Sequence, residues 1–382
     1  MRSGTSVTTL KCVRDEGESD AQLTYHFSIQ GQFEFGRSAE RKVKIAPSDR
    51  NKILELFDGR YGLGGGRGTG QTLSAQELTD VGRRIFETFF DSDAMADPGR
   101  VGHTFEQALS SIECHYLKIE TNDPEIPWEL ALLPGESGES LGVRYATTTR
   151  IEAPVGLLHH LTEQLQAQEL ASTPEPTYDD QDRPLKILFV VDPSLDASVV
   201  ARYALHDIGE SARGELGQIL AVLEARGLSK PDLLEGREAD FTGLAYKVSR
   251  NSYDILHFIG HSIFHPTDPV QRGLALADGL LTPKKIAEMF HDKCPTVVFA
   301  NSCVSGRTPV PIQHENDQRV GVAQATSLFA GFCEAGVKAY IGTLWSPNTE
   351  TAASFAVDFY EHLLGDCTVG QALREARRLG AR

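Results

Sequence analysis

The stretches Tyr253-Asp-Ile-Leu-His-Phe-Ile-Gly-His261 and Thr296-Val-Val-Phe-Ala-Asn-Ser-Cys303-Val-Ser-Gly306 decide how the rest of this sequence folds. Each holds a short apolar run, residues 254–260 in the first and 296–300 in the second, with the length and composition of a strand buried on both faces. Such strands belong to a parallel sheet. In an open parallel sheet, functional groups collect beyond the carboxyl ends of the strands. The first run delivers His261 and the second Cys303, so neighbouring strands bring an imidazole and a thiol to one crevice. An imidazole beside a cysteine favours the nucleophilic thiolate and can then protonate a leaving amine. Turns at residues 260–262 and 305–306 leave backbone N–H groups able to bind an oxyanion.

Working outward, Leu185-Lys-Ile-Leu-Phe-Val-Val191 is another apolar run and reads as a central parallel strand. Helical patterns over residues 207–226 and 241–250 alternate with these strands, as in βαβ units. A polar loop follows from Gly306 to Val320. Helix spacing resumes at residues 324–334, where Gly336 fits the C′ position. A strand at 338–342 and a helix at 350–364 follow, the helix carrying Ala353, Phe355, Ala356, Phe359, Tyr360 and Leu363 as one stripe. A final helix opens near Gly370. The pattern predicts an α/β fold with a mostly parallel sheet flanked by helices.

Between and after the two opening stretches stand Gly273-Leu-Ala-Leu-Ala-Asp-Gly-Leu-Leu-Thr282 and Ala339-Tyr-Ile-Gly-Thr-Leu-Trp345. These four segments, in this order, resemble the CHAT family, caspase-like cysteine peptidases related to separase, caspases and gingipains. The resemblance implies a caspase-like fold, peptidase activity on a protein substrate, His261 and Cys303 as the catalytic dyad, and no cofactor. The backbone N–H groups of Ser262 and Cys303 would hold the oxyanion. His257, inside its strand, is expected to pack. In related proteins the S1 pocket draws on residues after the first strand, two before the nucleophile, and after the strand preceding the final helices. Here those places fall on Asp192, Asn301 and the Trp345-Ser346 segment. Asp192 in such a pocket would favour a basic P1 side chain; its other reading is a turn or capping residue before Pro193. Two departures stand out. Family members usually carry Gly after the catalytic His, where this chain has Ser262. Asn301-Ser302 also replaces the Gln-Ala of caspases, so caspase-type aspartate specificity does not transfer. Bacterial members are often effectors in antiviral defence or regulated cell death, which implies an activating protein partner or small-molecule signal. The competing expectation is a catalytically inactive caspase-like scaffold, with Ser262 as its support.

Ahead of the peptidase region (184–382), residues 1–155 read as a smaller, catalytically silent α/β lobe resembling a pseudo-protease. It has strands within 7–45, a glycine-rich linker at 62–70, and a helix and strands over 74–150. The glycine run lacks the preceding strand and terminal Lys-Ser/Thr of a phosphate loop. Residues 156–183 read as an exposed connector, whose Asp179, Asp180 and Asp182 are by default a solvated acidic loop rather than a calcium site. With 37 Lys and Arg against 53 Asp and Glu, a net charge of −16 speaks against nonspecific nucleic-acid binding. The N-terminus has no apolar signal segment, and no stretch approaches the roughly 18 apolar residues of a membrane helix. Six cysteines without CxxC spacing suit reduced thiols and a cytoplasmic setting. His257, His261 and His265 would align as metal ligands only on a helix, which the β-type run through Phe258 and Ile259 opposes, so no metal site is expected.

Overall fold

Alternation turns Tyr25, Phe27 and Ile29 to one side of a strand, and that side forms a core in which each is at most 2% exposed. The computed structural model of the protein describes residues 7–15, 22–33, 36–58, 74–90, 109, 116–123, 125–133, 139–151, 185–203, 205–265, 268–306, 327–344, 347–365 and 367–380. The expected linker at 62–70, the connector at 156–183, the expected polar loop beyond Gly306 (residues 307–320), and Trp345 and Ser346 lie outside them. Contacts divide the chain into two units. One comprises Met1–Tyr61, Leu73–Glu152 and Glu361–Arg382; the other comprises Gly62–Thr72 and Ala153–Tyr360.

In the first unit, β1 (Val7–Arg14) and β2 (Leu23–Phe33) form the expected antiparallel pair, Cys12 opposite Phe27. Strand β3 (Gly36–Ile45) pairs antiparallel with β2 and is twice the length its apolar end, Arg41–Ile45, suggests. Its polar first half sits on a sheet edge, where backbone bonds to β2 suffice to hold it. Pro47 ends that strand and opens α1 (Pro47–Asp58), since the first helical position needs no N–H donor. Helix α2 (Ala75–Phe89) starts at a capping box in which Ser74 and Glu77 bond reciprocally. Strand β4 (Tyr116–Thr121), the short helix α3 (Leu141–Arg144) and β5 (Ala146–Ile151) follow. The sheet order is β3-β2-β1-β4-β5, with β1, β4 and β5 parallel. Trp128 is the packing anchor expected of it. It is 1% exposed, lies 4.9 Å from the Phe89 ring, and donates its indole N–H toward Thr121 Oγ1 and the Asp123 carbonyl, each at 3.1 Å.

The second unit runs through β6 (Ile187–Pro193), α4 (Ala197–Tyr203), α5 (Gly209–Ala225), β7 (Asp232–Gly236), α6 (Phe241–Arg250) and β8 (Ile255–Ile259). Next come a small antiparallel sheet of β9 (Ser262–Ile263), β10 (Gly273–Leu276) and β11 (Gly279–Leu281), then α7 (Pro283–Phe290) and β12 (Val297–Asn301). Helix α8 (Leu328–Glu334), β13 (Ala339–Gly342) and α9 (Thr349–Leu363) as far as Tyr360 complete it. The main sheet has the order β13-β12-β8-β6-β7, every neighbouring pair parallel. Helix α8 begins at residue 328, where Ser327 caps it by accepting from Ala330 N at 3.0 Å, and residues 324–326 of the expected helix lie outside the described residues. It ends as expected at Gly336, whose φ of 98° lets the N–H groups of Gly336 and Val337 bond back to Cys333 and Phe332, each at 3.0 Å.

One face of this sheet turns Leu188, Val190, Leu256, Phe258, Val298 and Ala300 into a single apolar core. Each is at most 2% exposed. Burial on this scale fixes strand register, since a one-residue slip would turn the whole set to the other face. The last helix, α10 (Val369–Gly380), groups with the first unit rather than the second. Ala372 and Ala376 are fully buried there, and Arg377 donates to Thr147 Oγ1 at 2.7 Å. No helix among the described residues is long and apolar enough to cross a membrane.

Candidate active site

The parallel register of β8 and β12 sets Ile259 opposite Asn301. His261 and Cys303 each stand two residues beyond that pair, on adjacent strands whose axes run about 4.8 Å apart. The loops they begin are joined, because Ser262 Oγ donates to the Cys303 carbonyl.

Behind Cys303 the chain makes a tight turn held from β13. Thr343 Oγ1 donates to the Ser302 carbonyl and Tyr340 Oη to the Ser305 carbonyl at 2.9 Å. Ser305 Oγ donates to the Ala300 carbonyl at 2.7 Å and receives Thr343 N at 3.1 Å. Gly306 N bonds the Thr343 carbonyl at 2.8 Å, and a Cβ on Gly306 would come within 2.9 Å of the Gly342 backbone. Only glycine permits that approach. The turn forces Val304 to φ 50°, a left-handed conformation that a β-branched residue adopts only under constraint. Val304→Gly is therefore expected to raise stability by about 1 kcal/mol, the left-handed penalty relieved less the entropy of the added glycine. Thermal unfolding of the two proteins checks it, and an unchanged or lower midpoint would contradict it.

On the other loop, His261 Nε2 lies 2.9 Å from the carbonyl oxygen of His206. A carbonyl only accepts, so Nε2 carries the proton and Nδ1 keeps its lone pair when the ring is neutral. Burial pulls the His261 pKa below its ordinary value. The His206 ring, 5.4 Å away, works in the same direction, while the His206 carbonyl, Asp192 and Asp207 oppose it. At neutral pH the ring is thus in its base form. Ala275 N donates to the His261 carbonyl at 2.8 Å. Bonded and non-bonded pairs alternate in an antiparallel ladder, so Ser262, opposite Leu274, turns its N–H away from β10 toward the unpaired edge of β9.

A sequence comparison bears on this geometry: residues 124–379 match the model of the CHAT domain. The chain belongs to the CHAT family. Two solved chains are similar to this CHAT-family chain. One, in the complex of the pro- and mature domains of Porphyromonas gingivalis RgpB, is 10% identical, with 87% of this chain and 72% of that chain covered at a TM-score of 0.44. The other, the Arg-specific cysteine proteinase gingipain R (RgpB), is 11% identical, with 86% and 69% covered at a TM-score of 0.44. No curated protein sequence matches the chain.

The remaining expected residues of the CHAT chain fall in different settings. Asp192 has φ 43°, at an irregularity where β6 shifts register against β7. Its Oδ2 lies 3.3 Å from Arg213 Nη2, and Arg213 Nε donates to Glu235 Oε1 at 2.8 Å. Burial raises the Asp192 pKa, as do Asp207 and Glu235, against Arg213 and His261. Asn301 turns its amide into the core, where Nδ2 donates to Glu215 Oε1 at 2.8 Å. Ser346 is outside the described residues. His257 is fully buried and stacks on Phe299 at 4.5 Å. Sequence reasoning missed His206, Arg213 and Glu215. His206 acts through a carbonyl that any residue can supply, so no pattern marks it. Glu215 left a usable trace, an acid on the apolar face of a helix.

Proposed function

We propose that the protein is a cysteine endopeptidase in which Cys303 attacks the scissile carbonyl and His261 is the acid/base. The register carries this reading, since it brings a thiol and a base to equivalent heights beyond two adjacent strands. With Nε2–H engaged by the His206 carbonyl, Nδ1 is the atom that takes the thiol proton and later returns it to the leaving amine. The oxyanion is assigned to the N–H groups of Ser262 and Cys303. Ser262 supports rather than weakens this assignment: it lies in an extended strand, where serine is as comfortable as glycine, and its hydroxyl adds the bond to the Cys303 carbonyl. No step requires a cofactor.

The reading extends to a regulated effector that acts on protein substrates after a partner or signal engages it, as in bacterial defence or cell death. The Asp192–Arg213 pair supports regulation. A guanidinium already lies against the carboxylate assigned to S1, so a basic P1 side chain must displace Arg213, whose side chain is 62% exposed and able to swing out. Asp192→Asn is expected to reduce kcat/KM for Arg or Lys at P1 by about 10- to 100-fold, the worth of a charge-assisted hydrogen bond, and to leave neutral P1 substrates unaffected. An equal loss on both substrate classes would remove Asp192 from S1.

The deciding experiment incubates wild type and Cys303→Ala with a diverse peptide library, with and without proteins encoded beside it, and maps new termini by mass spectrometry. New termini in wild type alone are the expected result. Silence in both, with partners present, leaves a scaffold.

A further inference from the structure

Beneath the two loops, the sheet face built of Phe189, Ile255, Val297 and their neighbours also carries polar groups that the peptidase chemistry does not use. The register puts His257 of β8 opposite Phe299, and Asn301 of β12 opposite Ile259, on this one face. Glu215 from α5 and Tyr360 from α9 cover it. All four are buried: His257 and Tyr360 fully, Glu215 to 4% and Asn301 to 8% exposure. Asn301 Nδ2 donates to Glu215 Oε1 at 2.8 Å, and the same oxygen lies 3.3 Å from His257 Nε2, an ion-pair distance. His257 Nδ1 is 3.1 Å from Tyr360 Oη. Nε2 makes no hydrogen bond among the described residues, so Glu215 acts on it by charge across 3.3 Å; that charge favours the proton on Nε2, which leaves Nδ1 to accept from the phenol.

Stability does not account for this column. Burying a carboxylate is costly even when it is paired, and well-packed apolar residues commonly serve a core as well or better. What the column does is tie α5 and α9 to the two strands that end in His261 and Cys303. Its strand members sit four residues before His261 and two before Cys303. We propose that Glu215 is a positioning residue for the nucleophile, fixing the end of β12 against the end of β8 through Asn301 and His257. The proposal rests on the reading of Cys303 and His261 as a dyad.

The test replaces the column with apolar groups (Glu215→Leu, His257→Phe, Asn301→Leu, Tyr360→Phe) and follows alkylation of each cysteine by iodoacetamide, resolved by peptide mass, alongside thermal unfolding. The expected result is a protein that melts no lower than wild type and keeps Cys12, Cys294 and Cys333 protected. Its Cys303 reacts about 100-fold more slowly, as for an ångström-scale misplacement. Glu215→Gln, which keeps an acceptor oxygen toward Asn301, should stay near the wild-type rate. Wild-type reactivity of Cys303 in the apolar protein overturns the proposal. So does faster alkylation of all the cysteines, which marks the column as structural only. His261→Ala in the wild-type background separates the two readings. If it leaves Cys303 unaffected the dyad fails, and if it slows Cys303 while the apolar column does not, only the positioning role fails.

Discussion

His261→Ala is expected to lower kcat/KM about 10²- to 10⁴-fold, the usual worth of a positioned acid/base, while leaving the fold intact. The half-buried ring has one hydrogen bond among the described residues, to the His206 carbonyl, so its loss takes little from the core. The pH profile should change shape as well as height. Because burial depresses the His261 pKa, the base form persists at neutral pH, and wild-type activity should fall only as pH drops below about 6.5, the ordinary imidazole value. In His261→Ala that acid limb disappears. A variant that keeps the wild-type limb would show that another group titrates. Three of the other thiols compete little with Cys303. Burial pushes Cys294 and Cys333 up to about 12 and Cys12 well above its ordinary value, so these three remain protonated and slow toward alkylating reagents.

The parallel core and the placement of His261 and Cys303 beyond its strand ends were legible because each depends on local pattern. An apolar run must be buried on both faces, and a sheet places its functional groups where the strands stop. The hairpin of β1 and β2, the packing of Trp128 and the glycine stop after α8 were readable for the same reason. The missing parts depend on which side chains meet across long sequence separations. Arg213 pairs with Asp192 only because α5 opens beside the end of β6, and no spacing in the chain announces that approach. The strained Val304 was equally invisible, since valine favours extended backbone and only the bonds from β13 impose the turn. The grouping of α10 with the first unit follows from buried alanines and one arginine, a surface too small and too plain to signal its partner.

In the first unit, Arg50→Ala should destabilise the protein by about 3–5 kcal/mol, the largest stability effect expected of any single change here. Arg50 donates Nη2 to Asp123 Oδ1 at 2.6 Å and Nε to Oδ2 at 2.8 Å, and it also bonds Glu125. Asp123 is 3% exposed and Arg50 8%, so deleting the guanidinium strands a carboxylate where water cannot replace it. The Tyr25 hydroxyl, donating to Asp123 Oδ2 at 2.6 Å, remains as a neutral partner and softens the loss without cancelling the charge. Acid should narrow the gap between the two proteins. In wild type, burial pushes the Asp123 pKa up, but Arg50's hydrogen bonds and charge outweigh it and hold the group below the ordinary carboxylate range. That stabilisation is complete above the unfolded value near pH 3.9 and fades as pH falls through the lower folded value. In Arg50→Ala burial is opposed only by Arg14, 4.0 Å from Asp123 Oδ2, and by the Tyr25 bond, so Asp123 takes up a proton at higher pH than in wild type and the variant recovers part of its deficit while wild type loses its advantage. Urea unfolding at neutral and acidic pH measures both quantities. Combining Arg50→Met with Asp123→Leu and Glu125→Met should restore most of the lost stability, because the cost arises from a stranded charge rather than from the pair's net worth. If the triple variant is as unstable as Arg50→Ala, the loss belongs to packing around the guanidinium and not to the charge it neutralises.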